Sequence, residues 1–332
     1  MKINGPPHDH FDRVIDYLRI SITDRCNLRC HYCMPEGGVP HVSHDEIMRF
    51  EEIVTLIRAA VSMGLSKVRI TGGEPLVRSG IVDLMRMIYS IEGLSDLSMT
   101  TNGVLLSSMA SDLKRAGIGR INISLDTLKP ERFFEITRRD LYGEVIKGID
   151  AALSCGMSPV KINVVMMRGV NDDEVLDFVR LTRERPLVVR FIEFMPASPE
   201  NGWDKKSVVS TEELMARIKT MFRLEPSSEI SGAGPSEYFQ VPDFLGSIGF
   251  ITPVTRHFCA RCNRIRVTSD GKLKGCLFSS EEYPLLPLLK RNADIEGIKS
   301  FLANVISHKP QSHTLGEGKM RTCQRSMSWI GG

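Results

Sequence analysis

The sequence predicts an α/β protein: an open, six-stranded (β/α)6 partial barrel over residues 1–195, followed by a C-terminal α+β region over residues 196–332. Three observations carry that prediction. As far as about residue 195, short strand-like runs alternate with helical stretches, the pattern of parallel strands joined by right-handed crossovers. Five of these strands set apolar residues on one face and polar or cationic residues on the other. Beyond residue 196 the rhythm changes to loops, short strands and isolated helices.

The strands expected in order are Tyr17–Ile22, Lys67–Thr71, Leu97–Thr101, Arg120–Leu125, Val160–Val165 and Val188–Glu193. Helices are expected at Glu46–Ser62, Gly80–Ile91, Leu106–Ala116, Glu131–Cys155 (broken near Arg139–Asp140) and Asp173–Arg185. Ser43 with Glu46 forms a capping-box pattern for the first of them. In the C-terminal region Pro196–Trp203 and Pro226–Pro235 read as loops, and Ser210–Met221 as a helix with Ser210 and Glu213 at its start. Phe239–Val241, Gly246–Ile251 and Arg264–Thr268 read as strands, and Pro287–Ile306 as helix.

The faces are more informative than the strand count. Ile20, Ile22, Val68, Ile70, Leu97, Met99, Ile121, Ile123, Leu125, Ile162 and Val164 form one set, which must pack on the helices. Arg19, Arg69, Thr100, Asn122, Ser124, Asp126, Lys161 and Asn163 are on the other. A closed eight-stranded barrel fills its interior with branched apolar side chains. This chain has too few βα units for that and would have a wet, partly cationic interior. An open barrel around a polar, anionic ligand is therefore expected. A bare polar face is the alternative, disfavoured because parallel sheets are normally covered on both sides.

Composition narrows the partners. The chain has 332 residues and a net charge of only +3, with no polybasic block, so nucleic acid is not expected. No run of about 18 apolar residues suggests a membrane span. The N-terminal MKINGPPHDHFDRV lacks the apolar core of a targeting peptide, so a cytoplasmic location is expected. Of eight cysteines, six fall into two triads, which favours metal or cluster binding in a reducing compartment.

The first triad, Cys26, Cys30 and Cys33, lies in CNLRCHYCMP just after the first strand, at the rim where such folds place their active sites. A cubane 4Fe–4S cluster takes four thiolates for full ligation. The next cysteine is Cys155, so one iron would stay open to a substrate or cofactor. Structural zinc completed by His31 or His41 is the rival reading. The second triad, Cys259, Cys262 and Cys276, also lacks an obvious fourth thiol; with His257 it could be a zinc knuckle instead.

CNLRCHYC, with Tyr32 before the last cysteine, resembles the CxxxCxxC signature of the radical S-adenosylmethionine (SAM) superfamily, and Thr71-Gly72-Gly73-Glu74-Pro75 its Gly-Gly-Glu motif. The resemblance narrows to the GTP 3′,8-cyclase (MoaA) family through YLRISITDRCNLRCHYCMP, KVRITGGEPLVR, MTTNG, INISLDTL, RFIEFMP, NGWD, FCARCNRIRVTSDGKLKGCL and the closing IGG. It implies a partial TIM barrel of radical SAM type with a second cluster in the C-terminal extension.

The same resemblance implies two 4Fe–4S clusters, one on each triad. It implies SAM held by Tyr32, Gly73, Ser124 and Met195, and GTP by Arg19, Arg69, Thr100, Lys161, Arg264 and Arg266. Lys67 and Arg190 are secondary interior candidates. Glycines in the motif would let backbone approach the methionine moiety. The tail glycines Gly331 and Gly332 would reach the active site and be needed for activity. The implied reaction is reductive SAM cleavage, hydrogen abstraction from the ribose 3′ carbon and attack on guanine carbon 8, beginning molybdenum cofactor biosynthesis. Implied partners are a flavodoxin- or ferredoxin-like electron donor and the next enzyme, cyclic pyranopterin monophosphate synthase; a homodimer is compatible with the chain.

Rival readings are a radical SAM peptide maturase with an auxiliary cluster and a non-catalytic iron–sulfur electron carrier. Asp12 departs from the family, which usually has Gly there, and bulky Trp329 sits near the tail glycines. Cys155 and Cys323 read as ordinary thiols, the methionines as core, and His308 and His313 as solvated.

Overall fold

The six strands expected from the sequence form in order and pair side by side. In the computed structural model, residues 5–40, 42–198, 202–227, 234–291, 293–313 and 325–331 are described. The strands are β1 (Tyr17–Ser21), β2 (Lys67–Thr71), β3 (Asp96–Thr101), β4 (Arg120–Ser124), β5 (Val160–Met166) and β6 (Leu187–Glu193). Between them run α1 (Phe50–Ser62), α2 (Ile81–Tyr89), α3 (Leu106–Arg115), α4 (Pro130–Thr137), α5 (Tyr142–Ser154) and α6 (Val175–Glu184). The expected break after α4 is present, with Arg138 in the left-handed region at φ 55°.

After α7 (Thr211–Lys219) come β7 (Glu225–Ser227), β8 (Glu237–Gln240), β9 (Ser247–Ile251), β10 (Arg264–Val267), β11 (Lys272–Lys274) and β12 (Tyr283–Pro284), then α8 (Leu286–Lys290), α9 (Ile295–Ser307) and α10 (Met327–Ile330). All strands share one sheet of order β12-β11-β10-β1-β2-β3-β4-β5-β6-β9-β8-β7. Two C-terminal strands thus flank the predicted six, β10 parallel to β1 and β9 parallel to β6. An antiparallel hairpin closes each flank. The strand order has two ends, so the barrel is open among the described residues.

The face rule holds. Every member of the apolar set named above is in one hydrophobic core with the helices. The polar face is not bare: Arg19, Arg69, Lys161, Arg190 and Arg266 are each 9% exposed or less.

Local differences have simple causes. The helix predicted from Glu46 begins at Phe50 instead, because Ser43 and Glu46 close a separate 3-10 turn (Oγ to Oε2, 2.8 Å). Glu52 reaches back to the Arg49 amide at 2.7 Å and caps α1. Ser210 caps α7 as expected, accepting from the Glu213 amide at 3.2 Å. The long helix predicted over Pro287–Ile306 is two, since Asp294 accepts from the Gly297 amide at 2.8 Å and restarts the chain as α9. Pro226, expected in a loop, lies in the edge strand β7, where a missing N–H is tolerated. Asp12 adopts φ 60°, a conformation that Gly takes freely and Asp tolerates.

Candidate active site

The register builds a row of cations. Arg266 on β10 stands opposite Arg19 on β1, and Arg19 opposite Arg69 on β2. Nearby cations are neutralised: Lys67 pairs with Asp16 at 2.5 Å, and Arg120 with Asp96. By contrast, Arg69 and Arg266 meet no carboxylate among the described residues; Arg69 donates to Ser98 Oγ at 3.2 Å. Burial, then the neighbouring guanidiniums Arg266 and Arg69, pull Arg19 well below the usual arginine range. Burial lowers Arg266 and Arg190 to about 10 and Lys161 to about 8. Such a concentration of buried charge favours an anionic ligand.

These cations face a cavity whose wall includes Arg19, Arg69, Thr100, Arg190, Arg264, Arg266 and the second triad, Cys259, Cys262 and Cys276. A second cavity adjoins it, walled by Cys26, Cys30, Cys33, Tyr32, Gly73, Ser124 and Asp126. Thr100, Asn163, Ile192, Met195 and Met327 belong to both. Thr100 Oγ1, Tyr17 Oη and Arg190 Nε have no hydrogen-bond partner among the described residues. Buried polar atoms left so are costly, and in a cavity wall they are places for ligand atoms. Lys161 is buried but is not among the residues lining either cavity; its ammonium donates to Tyr238 Oη at 3.1 Å. Lys67 lines a different, neighbouring cavity.

Two sequence motifs lock together at the first triad. The Gly73 amide donates to Thr23 O at 2.6 Å and the Glu74 amide to Arg25 O at 2.8 Å. A Cβ on Gly73 would lie 2.4 Å from Arg25 O. The missing side chain therefore serves loop-on-loop packing, a reason that the motif alone does not reveal. Glu74 accepts from Thr101 Oγ1 (2.6 Å), the Asn102 amide (2.6 Å) and the Leu76 amide (3.0 Å); burial still raises it to about 7. Tyr32 donates to Asp126 Oδ2 at 2.5 Å, and burial raises Asp126 to about 6.

The donor sets fit thiolate-bound clusters. Burial, then Glu74, pushes Cys26 up to about 11, and burial pushes Cys30 and Cys33 up as well. Three half-buried thiols that resist ionisation alone need a positive centre to become thiolates. At the second triad, Arg264 and Lys309 overcome the opposing effect of burial and bring Cys262 down to about 7.

The tail runs into the same space. Arg266 Nη1 donates to Gly331 O at 3.0 Å, and a Cβ on Gly331 would lie 2.0 Å from Thr71 Oγ1. Ser326 Oγ donates to Cys33 O at 2.6 Å. Arg325 lies over the Trp329 ring, 5.1 Å from its centroid, and pairs with Asp270 and Glu282. Gly332 and Cys323 fall outside the described residues. His313, expected in solvent, instead lines the cation cavity, packs on His257 and donates from Nε2 to Pro253 O at 2.9 Å. The cause is a long-range fold-back: Arg13 holds the carbonyls of Pro310 and Gln311 beside the second triad. His308 is exposed as expected, and Cys155 is partly buried against the core.

Several site residues carried no functional signal in the sequence. Asp126 and Asn163 were legible only as polar-face positions; Tyr238, Met327 and Lys309 lie in C-terminal segments where no alternating pattern assigned them to an inner face.

The fold is that of a radical SAM protein. The Radical SAM superfamily model matches residues 20–182, and the Molybdenum Cofactor Synthesis C model residues 187–315. SuiB of Streptococcus suis, solved with S-adenosylmethionine bound, superposes with a TM-score of 0.59 over 95% of this chain and 77% of that one; at 15% identity this likeness concerns the fold alone. Full-length similarity is more specific. GTP 3′,8-cyclases of Moorella thermoacetica and Geobacter sulfurreducens are each 49% identical over 98% of this chain and 99% of theirs, and that of Heliobacterium modesticaldum is 48% identical over the same shares. The chain belongs to the GTP 3′,8-cyclase family.

Proposed function

We infer that this protein converts GTP into (8S)-3′,8-cyclo-7,8-dihydroguanosine 5′-triphosphate, the first step of molybdenum cofactor biosynthesis. One observation carries the reading: the in-register row Arg266–Arg19–Arg69 faces a cavity that shares a wall with the first triad's cavity. A triphosphate has use for several buried planar donors at once, whereas a peptide substrate does not. Bound together, the N-terminal 4Fe–4S cluster and SAM supply a radical able to take a hydrogen atom from the ribose.

In this reading Cys26, Cys30 and Cys33 hold that cluster and leave one iron for SAM, with Tyr32, Gly73, Ser124 and Met195 as the SAM pocket. Arg19, Arg69, Thr100, Lys161, Arg264 and Arg266 bind GTP, joined by Arg190. Cys259, Cys262 and Cys276 hold a second 4Fe–4S cluster that takes the guanine. The tail glycines Gly331 and Gly332 are needed for activity in this reading; the Gly331 carbonyl on Arg266 supports a place for Gly331 at the site. Residues 1–195 then form the radical SAM part with the N-terminal cluster, and 196–332 the region with the second cluster and the Gly-Gly tail, both contributing to the GTP site. Ile192, Met195 and Met327 are apolar residues in the lining that the two cavities share, and in this reading they shield the radical from water.

No helix among the described residues is long and apolar enough to cross a membrane. Reduced thiol triads and a nucleotide substrate suit the cytoplasm, where a flavodoxin- or ferredoxin-like donor would reduce the clusters and cyclic pyranopterin monophosphate synthase would take the product. The test uses anaerobically reconstituted protein, SAM, a reductant and GTP deuterated at the ribose 3′ carbon. Deuterium in the 5′-deoxyadenosine product is expected; SAM cleavage without deuterium transfer would remove GTP as the substrate.

A further inference from the structure

Lys309 is a lysine with only 3% of its surface exposed. Its ammonium donates to Gly275 O at 2.6 Å and to Cys262 Sγ at 3.5 Å. It meets no carboxylate among the described residues. A buried ammonium without a countercharge is expensive, and the anion available to it is the second triad.

The surroundings hold it there. A Cβ on Gly275 would lie 3.3 Å from Lys309 Cα, so the glycine before Cys276 lets the two backbones pack closely. Arg13 donates to Cys259 O (2.9 Å), Pro310 O (2.7 Å) and Gln311 O (2.9 Å). One guanidinium thus ties the loop carrying the lysine to the loop carrying the thiols. Arg13 is itself fixed by Asp9 at 2.6 Å.

We propose that Lys309 is a positioning and tuning residue of the C-terminal cluster, its ammonium donating an N–H···S bond to the Cys262 thiolate. This rests on the reading that the second triad holds a cluster. Hydrogen bonds to cluster sulfurs, and net charge nearby, set a cluster's reduction potential. A cation at the thiolate stabilises the more negative, reduced state and raises the potential. It also draws charge from the sulfur, leaving the irons better acceptors for a lone pair of the substrate base.

The experiment uses the full chain carrying Cys26→Ser, Cys30→Ser and Cys33→Ser, so that only the C-terminal cluster forms on reconstitution with iron and sulfide. Iron and sulfide per chain are measured first, then the potential by electron paramagnetic resonance titration. Lys309→Met should lower the potential at unchanged iron content, Lys309→Arg should keep it near the parent, and Lys309→Gln, a donor without charge, should fall between. Equal potentials in the parent, Lys309→Met and Lys309→Gln would overturn the proposal while leaving the cluster in place. If Lys309→Met loses its cluster, the Arg and Gln variants decide: potentials equal to the parent in both would also overturn it. A parent chain that binds no iron and sulfide would instead remove the second cluster itself.

Discussion

At the residue scale the proposed site separates into thiols suited to a cluster and buried cations suited to an anion. Cys33→Ser is expected to abolish SAM cleavage, read as 5′-deoxyadenosine formed. Arg266→Ala is expected to leave the first triad's cavity intact and to weaken GTP binding by roughly 10- to 100-fold, about 1.5–3 kcal/mol for a hydrogen bond from a charged donor; equilibrium binding of GTP checks this, and full affinity would remove Arg266 from the site. Lys161 adds a pH dependence. Burial lowers it to about 8, and a bound phosphate favours its charged form, so its pKa rises on binding. Affinity for GTP should be full below about pH 8, then fall as pH rises, by at most about tenfold per unit. Lys161→Arg should flatten that fall, because arginine stays charged there. Arg19, Arg69, Thr100 and Ser124 were legible as inward-facing from the two-residue period alone. Lys309 and Tyr238 were not, because their roles depend on what the fold sets opposite them.

At the scale of elements, strand register is what turns scattered arginines into a row. Tyr17 to Ser21 of β1 runs beside Lys67 to Thr71 of β2 without offset, so Arg19 and Arg69 share a level. A slip of one residue in either strand would turn that strand's arginine to the helices. The loops after these strands are equally constrained. Gly73→Ala would drive a Cβ against Arg25 O, a backbone atom that cannot swing aside. The expected result is displacement of the loop bearing Cys26, loss of SAM affinity and destabilisation of about 1–3 kcal/mol, as for other overpacked sites. Thermal unfolding and SAM binding would test it, and an unchanged melting temperature with normal SAM affinity would contradict the packing role. The early start expected for the first helix shows the limit of local signals: Ser43–Glu46 and Arg49–Glu52 lie side by side, and only the second pair caps α1.

At the scale of the whole molecule, residues far apart in sequence complete one site. Arg13 joins the N-terminal segment to Cys259, Pro310 and Gln311, and its partner Asp9 is buried with it. Arg13→Ala would strand the Asp9 carboxylate; about 3–5 kcal/mol of stability should be lost, measured by denaturant unfolding. Replacing Asp9 and Arg13 together by apolar residues should cost less than that single change. The sequence by itself determined the alternation of strands and helices, the two faces of the sheet, both thiol triads and the family, because these are encoded in short periods and contiguous motifs. The tertiary structure alone decided that β9 and β10 flank the six-strand array, that Gly331 meets Arg266, and that His313 and Lys309 turn inward to the second triad. Those contacts join residues tens to hundreds of positions apart, and no local pattern specifies them. They satisfy buried polar groups that no short segment could satisfy alone: the Arg266 guanidinium on the Gly331 carbonyl, and the Lys309 ammonium on Gly275 O and Cys262 Sγ.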